Sequence, residues 1–196
     1  MLARDAASCA DTETETKMKP AEEILEFWRA AGPQRWFSRN ESFDANLRQH
    51  FLEAHHAAAR REYEGWMEDA EGALALLILL DQFPRNCFRD NAHAYATDGL
   101  ARRYARRAIA VGFDAQVEPA LRVFFYLPFE HSEDPADQAL SVELHRRLPD
   151  PKADEWALLH QDIIARFGRF PHRNAALGRD TTAEEQRFLD EGGFAG

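Results

Sequence analysis

Three short stretches hold most of the side chains that could do chemistry. The first is DQFPRN, residues 81–86, with Asp81 and Arg85 four positions apart. The second is LPFEHSE, residues 127–133, which delivers Glu130, His131 and Glu133 together after an apolar run. The third is RFGRFPHRN, residues 166–174, where Arg166, Arg169, His172 and Arg173 are interleaved with Phe167 and Phe170. Carboxylates beside an imidazole suit acid–base work, with His131 or His172 as the general base. Arginine forks pair well with carboxylate or phosphate, so Arg169 and Arg173 suit an anion clamp. The catalytic candidates are therefore Glu130, His131 and His172. The ligand-binding candidates are Asp81, Arg85, Glu133, Arg169, Arg173 and Asn174.

Each motif also has a structural reading. Asp81 ends the most apolar helix, where the macrodipole disfavours an acid, so an Asp81–Arg85 clamp across the turn at Pro84 is expected. Glu133 and Asp134 suit the start of a helix, and part of the third motif's charge suits a helix end. Three arginines and a histidine within eight residues exceed that need. Glu130 and His131 precede the cap and follow an aromatic stretch, so capping explains them less well. His131, His172 and the carboxylates offer ligands for a metal as a weaker alternative, but no HExxH or paired-histidine spacing is present and nearby arginines would repel a cation, so no metal is expected; no cofactor is expected either.

The elements that must position these motifs read as helices. Pro20 opens one with an apolar stripe of Ile24, Leu25, Phe27 and Trp28, closed at Gly32-Pro33. Trp36 and Phe37 form a connection. A long helix is expected over residues 43–66, with Phe43, Leu47, Phe51, Ala54 and Ala58 on one face. Residues 73–80 are apolar on all sides and should be central. Asp98 reads as the N-cap of a helix ending at Gly112, and another helix near Asp114 should turn Val117, Leu121, Phe124 and Phe125 inward. Asp134-Pro135 starts the next, which ends before Pro149. Pro151 opens a helix carrying Trp156, Leu159, Ile163 and Phe167 to Gly168. Thr182 and Glu185 make a capping box for a last short helix. The expected fold is all-α: seven to eight helices, mostly in successive pairs, in an array or solenoid-like packing. Residues 83–90 and 170–180 echo each other in Phe-Pro, Arg-Asn and Arg-Asp, a hint of internal duplication.

Composition narrows the function classes. The 196 residues fit one domain, read as residues 20–196 behind a polar, disordered tail at 1–19. The longest apolar run, residues 73–80, is far short of the roughly 18–20 residues of a membrane span, so no membrane partner is expected. A net charge of −10 argues against nucleic-acid binding. All but Lys17, Lys19 and Lys152 of the 24 basic residues are arginine, a bias that weakens arguments from any single arginine. Cys9 and Cys87 have no CxxC spacing and give no disulfide or metal signature. No apolar leader opens the sequence, so a cytoplasmic location is expected.

Taken together, DQFPRN, FYLPFEHSED and FGRFPHRN give residues 21–189 a specific resemblance to the bacterial domain-of-unknown-function family 924. The resemblance implies an all-helical fold similar to tetratricopeptide repeats, in antiparallel pairs, and no defined activity. Three functions compete on the residues. The three loops converge on a site for a small polar or anionic molecule, with or without catalysis. The array presents a groove to a peptide, with the loop charges locked in internal salt bridges. Or the charges are scaffolding that fixes helix register. The sequence is silent on oligomeric state.

Overall fold

The apolar run at 73–80 decides the architecture. It lies in α4 (Ala70–Leu77) and the π-helical turn Ile78–Gln82 that continues it, and every one of its side chains is buried. Asp69 caps α4 by accepting from Gly72 N at 2.7 Å. Gly72 is required here, because a Cβ at that position would stand 2.3 Å from the Trp66 carbonyl oxygen. The other helices are α1 (Pro20–Ala31), α2 (Pro33–Trp36), α3 (Glu41–Ala59), α5 (Phe83–Cys87), α6 (Asp98–Ala110), α7 (Leu127–Glu130), α8 (Pro135–His145), α9 (Glu155–Phe167) and α10 (Ala183–Asp190). This computed structural model describes residues 20–195, and the expected tail at 1–19 lies outside them. Among the described residues there is no strand, and no helix is long and apolar enough to cross a membrane.

α1 and α6 pack on α4, α3 packs on α5, and α8 packs on α9. Only α8 with α9 follows a pairing of consecutive long helices; the rest of the core is organised around α4. Trp28, Leu47, Leu77, Phe83, Tyr104 and Phe125 belong to this main core. A smaller cluster of Ile163, Ile164 and Phe170, flanked by Phe167, Phe188 and Phe194, holds the third motif against α9.

Several expected boundaries hold. Gly112 and Gly168 take left-handed backbone at the ends of α6 and α9, at φ 75° and 69°. Asp134 caps α8 through Ala136 N, with Pro135 as its first residue. The Thr182–Glu185 capping box is complete. Other expectations need correction, among them the helix expected to open at Pro151, which begins only at Glu155. The helix expected over 43–66 stops at Ala59, because Arg61 turns the chain at φ 65° into the 3-10 turn Glu64–Glu68. The helix expected near Asp114 is instead two 3-10 turns, Phe113–Gln116 and Arg122–Phe125, separated at Pro119, although Val117, Leu121, Phe124 and Phe125 are all buried. In α9 the buried face is Ala157, His160, Ile163 and Ile164. Trp156, placed by the sequence on the apolar stripe, is 60% exposed.

Candidate functional site

The first motif is shaped by a missing donor. Pro84 has no N–H, so α4 cannot continue with regular bonding. The chain widens into the π turn instead, with Phe83 N–H reaching back to the Ile78 carbonyl. Three carbonyls at this turn are met by side chains. Leu79 O is bonded by His55 Nδ1 at 2.9 Å, Leu80 O by Thr97 Oγ1 at 2.5 Å, and Asp81 O by Arg85 Nη1 at 2.9 Å. Single π turns inside α-helices are frequent at functional sites. Here the turn carries Asp81 into the interior, where it is 1% exposed.

Asp81 is then surrounded by donors. Its Oδ1 accepts from His131 Nδ1 at 2.9 Å and pairs with Arg85 Nη1 at 3.2 Å; its Oδ2 accepts from Gln82 Nε2 at 2.6 Å. Burial opposes ionisation, but Arg85 and His131 outweigh it and hold the carboxyl below the usual range. Arg85 gives its fork to Asp98, at 2.8 and 2.9 Å. The expected Asp81–Arg85 clamp is thus one side of a larger Asp81–Arg85–Asp98 bridge. Asp98 is the first residue of α6 and not its cap, and Thr97 in the cap position spends its hydroxyl on Leu80 O. His131 is pushed down by burial and by Arg85, so a neutral imidazole faces an ionised Asp81. With Nδ1 bound to Asp81, Nε2 is the nitrogen left for chemistry.

Gln138 fixes the second motif. Its buried amide reaches the carbonyls of Glu130 and Ser132 at 2.7 and 2.6 Å. Glu130, the last residue of α7, is buried with Oε2 3.3 Å from His145 Nε2. His145 Nδ1 lies 2.9 Å from the Ser141 carbonyl, which can only accept, so Nε2 carries the lone pair. Glu130 suits this partner as the protonated acid. Burial, then the charge on Asp81, raises it to about 8. A neutral carboxylic acid therefore sits beside a carboxylate–imidazole pair, an arrangement able both to give and to take a proton.

The third motif is unusual for its unmet polar atoms. His172 Nδ1, Arg173 Nε and Asn174 Oδ1 are all buried without a hydrogen-bond partner among the described residues. Buried polar atoms in folded proteins are rarely left so. Arg173 is 6% exposed, and its nearest carboxylate oxygen is Asp98 Oδ2 at 3.8 Å. Its guanidinium lies between the rings of Phe170 and Tyr95, 4.3 and 4.7 Å from their centroids. Burial, then Arg85, lowers it to about 10. Burial and Arg173 lower His172 to about 3.

The motifs meet at a cleft with two lobes. One lobe, about 360 Å³, is lined by Arg39, Arg85, Arg89, Arg173, His131 and His172, with Asp90 as the sole acid on it among the described residues. The other, about 520 Å³, has an apolar wall of Trp36, Phe37, Leu127 and Trp156, with Glu130 and His145 also on it. Arg39, Arg85, Arg89, His131, His160 and Phe194 line both lobes.

The sequence matches the bacterial protein family of unknown function DUF924 over residues 24–193. The chain belongs to the DUF924 family. A solved structure of a protein of unknown function from Agrobacterium tumefaciens is 53% identical, with a TM-score of 0.85, over 88% of this chain and 97% of that one. No curated protein matches the chain.

In this DUF924 chain, Glu130, His131, Arg85, His172 and Arg173 all line the cleft, and Asp81 stands directly behind His131. Three other expected ligand-binding residues are engaged elsewhere. Arg169 forks onto Glu185 at 2.6 and 2.9 Å. Glu133 takes both prongs of Arg179 at 2.9 and 2.8 Å and also accepts from Phe170 N. Asn174 donates to Glu185 from a fully buried position. These residues fasten the third motif to α10 and to the turn after α7. Sequence reasoning missed His160, Arg39, Arg89, Phe37 and Trp156. His160 could have been found as a lone histidine on the apolar face of α9; Arg39 carries no signal beyond its charge, and Arg89 only its place in the Arg-Asp echo of residues 83–90. Among the described residues, no group of cleft side chains gathers closely enough to share a metal ion.

Proposed function

We propose that the cleft binds a small amphiphilic anion, a carboxylate or phosphate bearing an apolar group, and that Asp81, His131 and Glu130 do acid–base chemistry on it. The observation that carries this reading is Arg173. A buried guanidinium whose Nε meets no acceptor among the described residues and whose nearest carboxylate, Asp98, stands 3.8 Å away, beside an equally unmet His172 Nδ1 on the same wall, is a costly arrangement for a fold to keep without a further anionic partner. The chain is acidic overall, yet four arginines face this one lobe, which focuses an attractive field for anions. The adjoining lobe offers Phe37 and Trp156, 62% and 60% exposed, to an apolar group. His131 Nε2 is the base and Glu130 the acid.

The test is a thermal-shift screen of alkyl and aryl carboxylates and phosphates against the alcohols of the same skeleton. Anions are expected to raise the melting temperature and the alcohols are not. Arg39→Ala, at an exposed residue without an ion pair among the described residues, should reduce the shift without impairing folding. Equal stabilisation by the alcohols, or a shift indifferent to Arg39→Ala, sinks the reading.

One observation favours the second reading, a peptide-binding module. The charges of Glu133, Arg169 and Arg179 are spent in internal bridges, as that reading requires. Peptide binding that survives Arg39→Ala and depends on Trp156 would support it.

A further inference from the structure

We propose that His55, His56 and His93 form a site for a divalent transition-metal cation of the zinc type. None of the three lines the cleft. Each offers one ring nitrogen, and these atoms all lie within 4.8 Å of one another. His55 Nε2 and His93 Nε2 are 3.0 Å apart. Tetrahedral zinc, with bonds of about 2.0–2.1 Å to nitrogen, sets its ligand nitrogens roughly 3.3 Å apart. Small side-chain movements would bring the three nitrogens into that geometry.

The tautomer of His55 is already the one a metal needs. Its Nδ1 lies 2.9 Å from Leu79 O, which can only accept, so the proton is on Nδ1 and the lone pair on Nε2. A histidine anchored through its second nitrogen to a backbone carbonyl is the usual supporting arrangement around a bound ion. The rings are also held in place: His55 stacks on Phe83 and His93 packs against Phe88, with centroids 4.9 and 4.0 Å apart. His55 is buried and the other two are partly exposed, so the ion would enter from the side of His56 and His93. Imidazole nitrogens without a carboxylate select zinc, nickel, cobalt or copper over magnesium or calcium. Three protein ligands leave a fourth position for water.

Such an ion would staple α3 to the 3-10 turn Ala92–Tyr95. That turn supplies Tyr95, which packs against Arg173. His55 also touches the π turn that carries Asp81. A loaded site would therefore brace two walls of the cleft without entering it.

A hydrogen bond between His55 and His93 would give the same 3.0 Å contact without a metal, but it makes no use of His56. The deciding experiment is calorimetric titration of the chelator-treated full chain with zinc chloride and, separately, magnesium chloride. One zinc per chain is expected, with a rise in melting temperature and no response to magnesium. His56→Gln and His93→Gln should each weaken zinc binding at least tenfold, while His50→Gln, at an exposed histidine on α3, leaves it unchanged. Failure of zinc to saturate at one per chain overturns the site. So does full affinity retained in His56→Gln, which would leave only the hydrogen-bonded pair.

Discussion

Asp81 and His131, fifty residues apart in the chain, meet at 2.9 Å through Oδ1 and Nδ1. This contact fixes the imidazole tautomer and leaves Nε2 free at the wall shared by both lobes of the cleft. Its electrostatics make a definite prediction. Asp81 raises the His131 pKa against burial and Arg85, which lower it. Asp81→Asn should therefore move the His131 titration to lower pH, as read from side-chain nitrogen shifts. It should also cost about 3–5 kcal/mol in chemical denaturation, because it strips a buried charge cluster of one member. A His131 titration unchanged in this variant would show that the contact does not set the chemistry of the ring.

Arg85 should matter far more than its neighbour Arg89. Arg85 bridges the buried Asp81 and Asp98, whereas Arg89 pairs with Asp44 at 3.1 Å from a more exposed position. Arg85→Met leaves two buried carboxylates facing each other and is expected to destabilise the fold by about 3–5 kcal/mol. Arg89→Met should cost no more than about 1 kcal/mol. Equal losses in urea denaturation would contradict the bridge.

Thr97 is expected to act through a single hydroxyl. It bonds Leu80 O, the carbonyl whose regular donor Pro84 lacks. Thr97→Val keeps the shape and deletes the donor, leaving a buried carbonyl unmet. A loss of about 1–3 kcal/mol is expected. Thr97→Ser should recover most of it, because the hydroxyl returns. If valine and serine behave alike, the bond to Leu80 contributes nothing.

The helices were legible where local signals suffice. The caps at Asp134 and Thr182, the prolines that open α1 and α8 and the glycines at φ near 70° act within a few residues, and their positions hold, whereas Asp98 is not a cap and α9 begins at Glu155 and not at Pro151. The π turn was not legible, because its satisfaction depends on His55 and Thr97, 24 and 17 residues from the carbonyls they meet. The three motifs were found by residue type, but their division of labour was not. Arg169 and Arg173 look alike in sequence; one finds Glu185, while the other is buried between two rings. Trp156 falls at helical spacing with Ile163, yet the face α9 buries is set by α8 and Phe170, which leaves Trp156 at the cleft. The His55–His56–His93 cluster depends on the turn at Ala92–Tyr95 coming back to α3, which no local pattern announces.

The pH dependence of stability should have a maximum near pH 6.5, with two limbs of different origin. Burial lowers His160 to about 4, and burial with Arg173 lowers His172 to about 3. The unfolded chain, with histidines near about 6.5, then binds more protons than the native one at acid pH. The stability these two contribute is fully present above that value and is lost as pH falls through the folded values. Glu130 has the opposite sign. Raised to about 8, it holds a proton that the unfolded chain releases above about 4.3. Its contribution is present below that value and declines as pH rises toward 8. Between about 4.3 and 6.5 these two histidines, joined by His55, which burial also lowers to about 4, outweigh the one carboxyl, and above about 6.5 Glu130 sets the slope. Urea midpoints measured from pH 4 to 8.5 should rise, peak and fall. Glu130→Gln cannot ionise, so it should keep the acid limb and flatten the alkaline one. An alkaline limb that persists in Glu130→Gln would place the responsible proton on another group and leave Glu130 ionised at neutral pH.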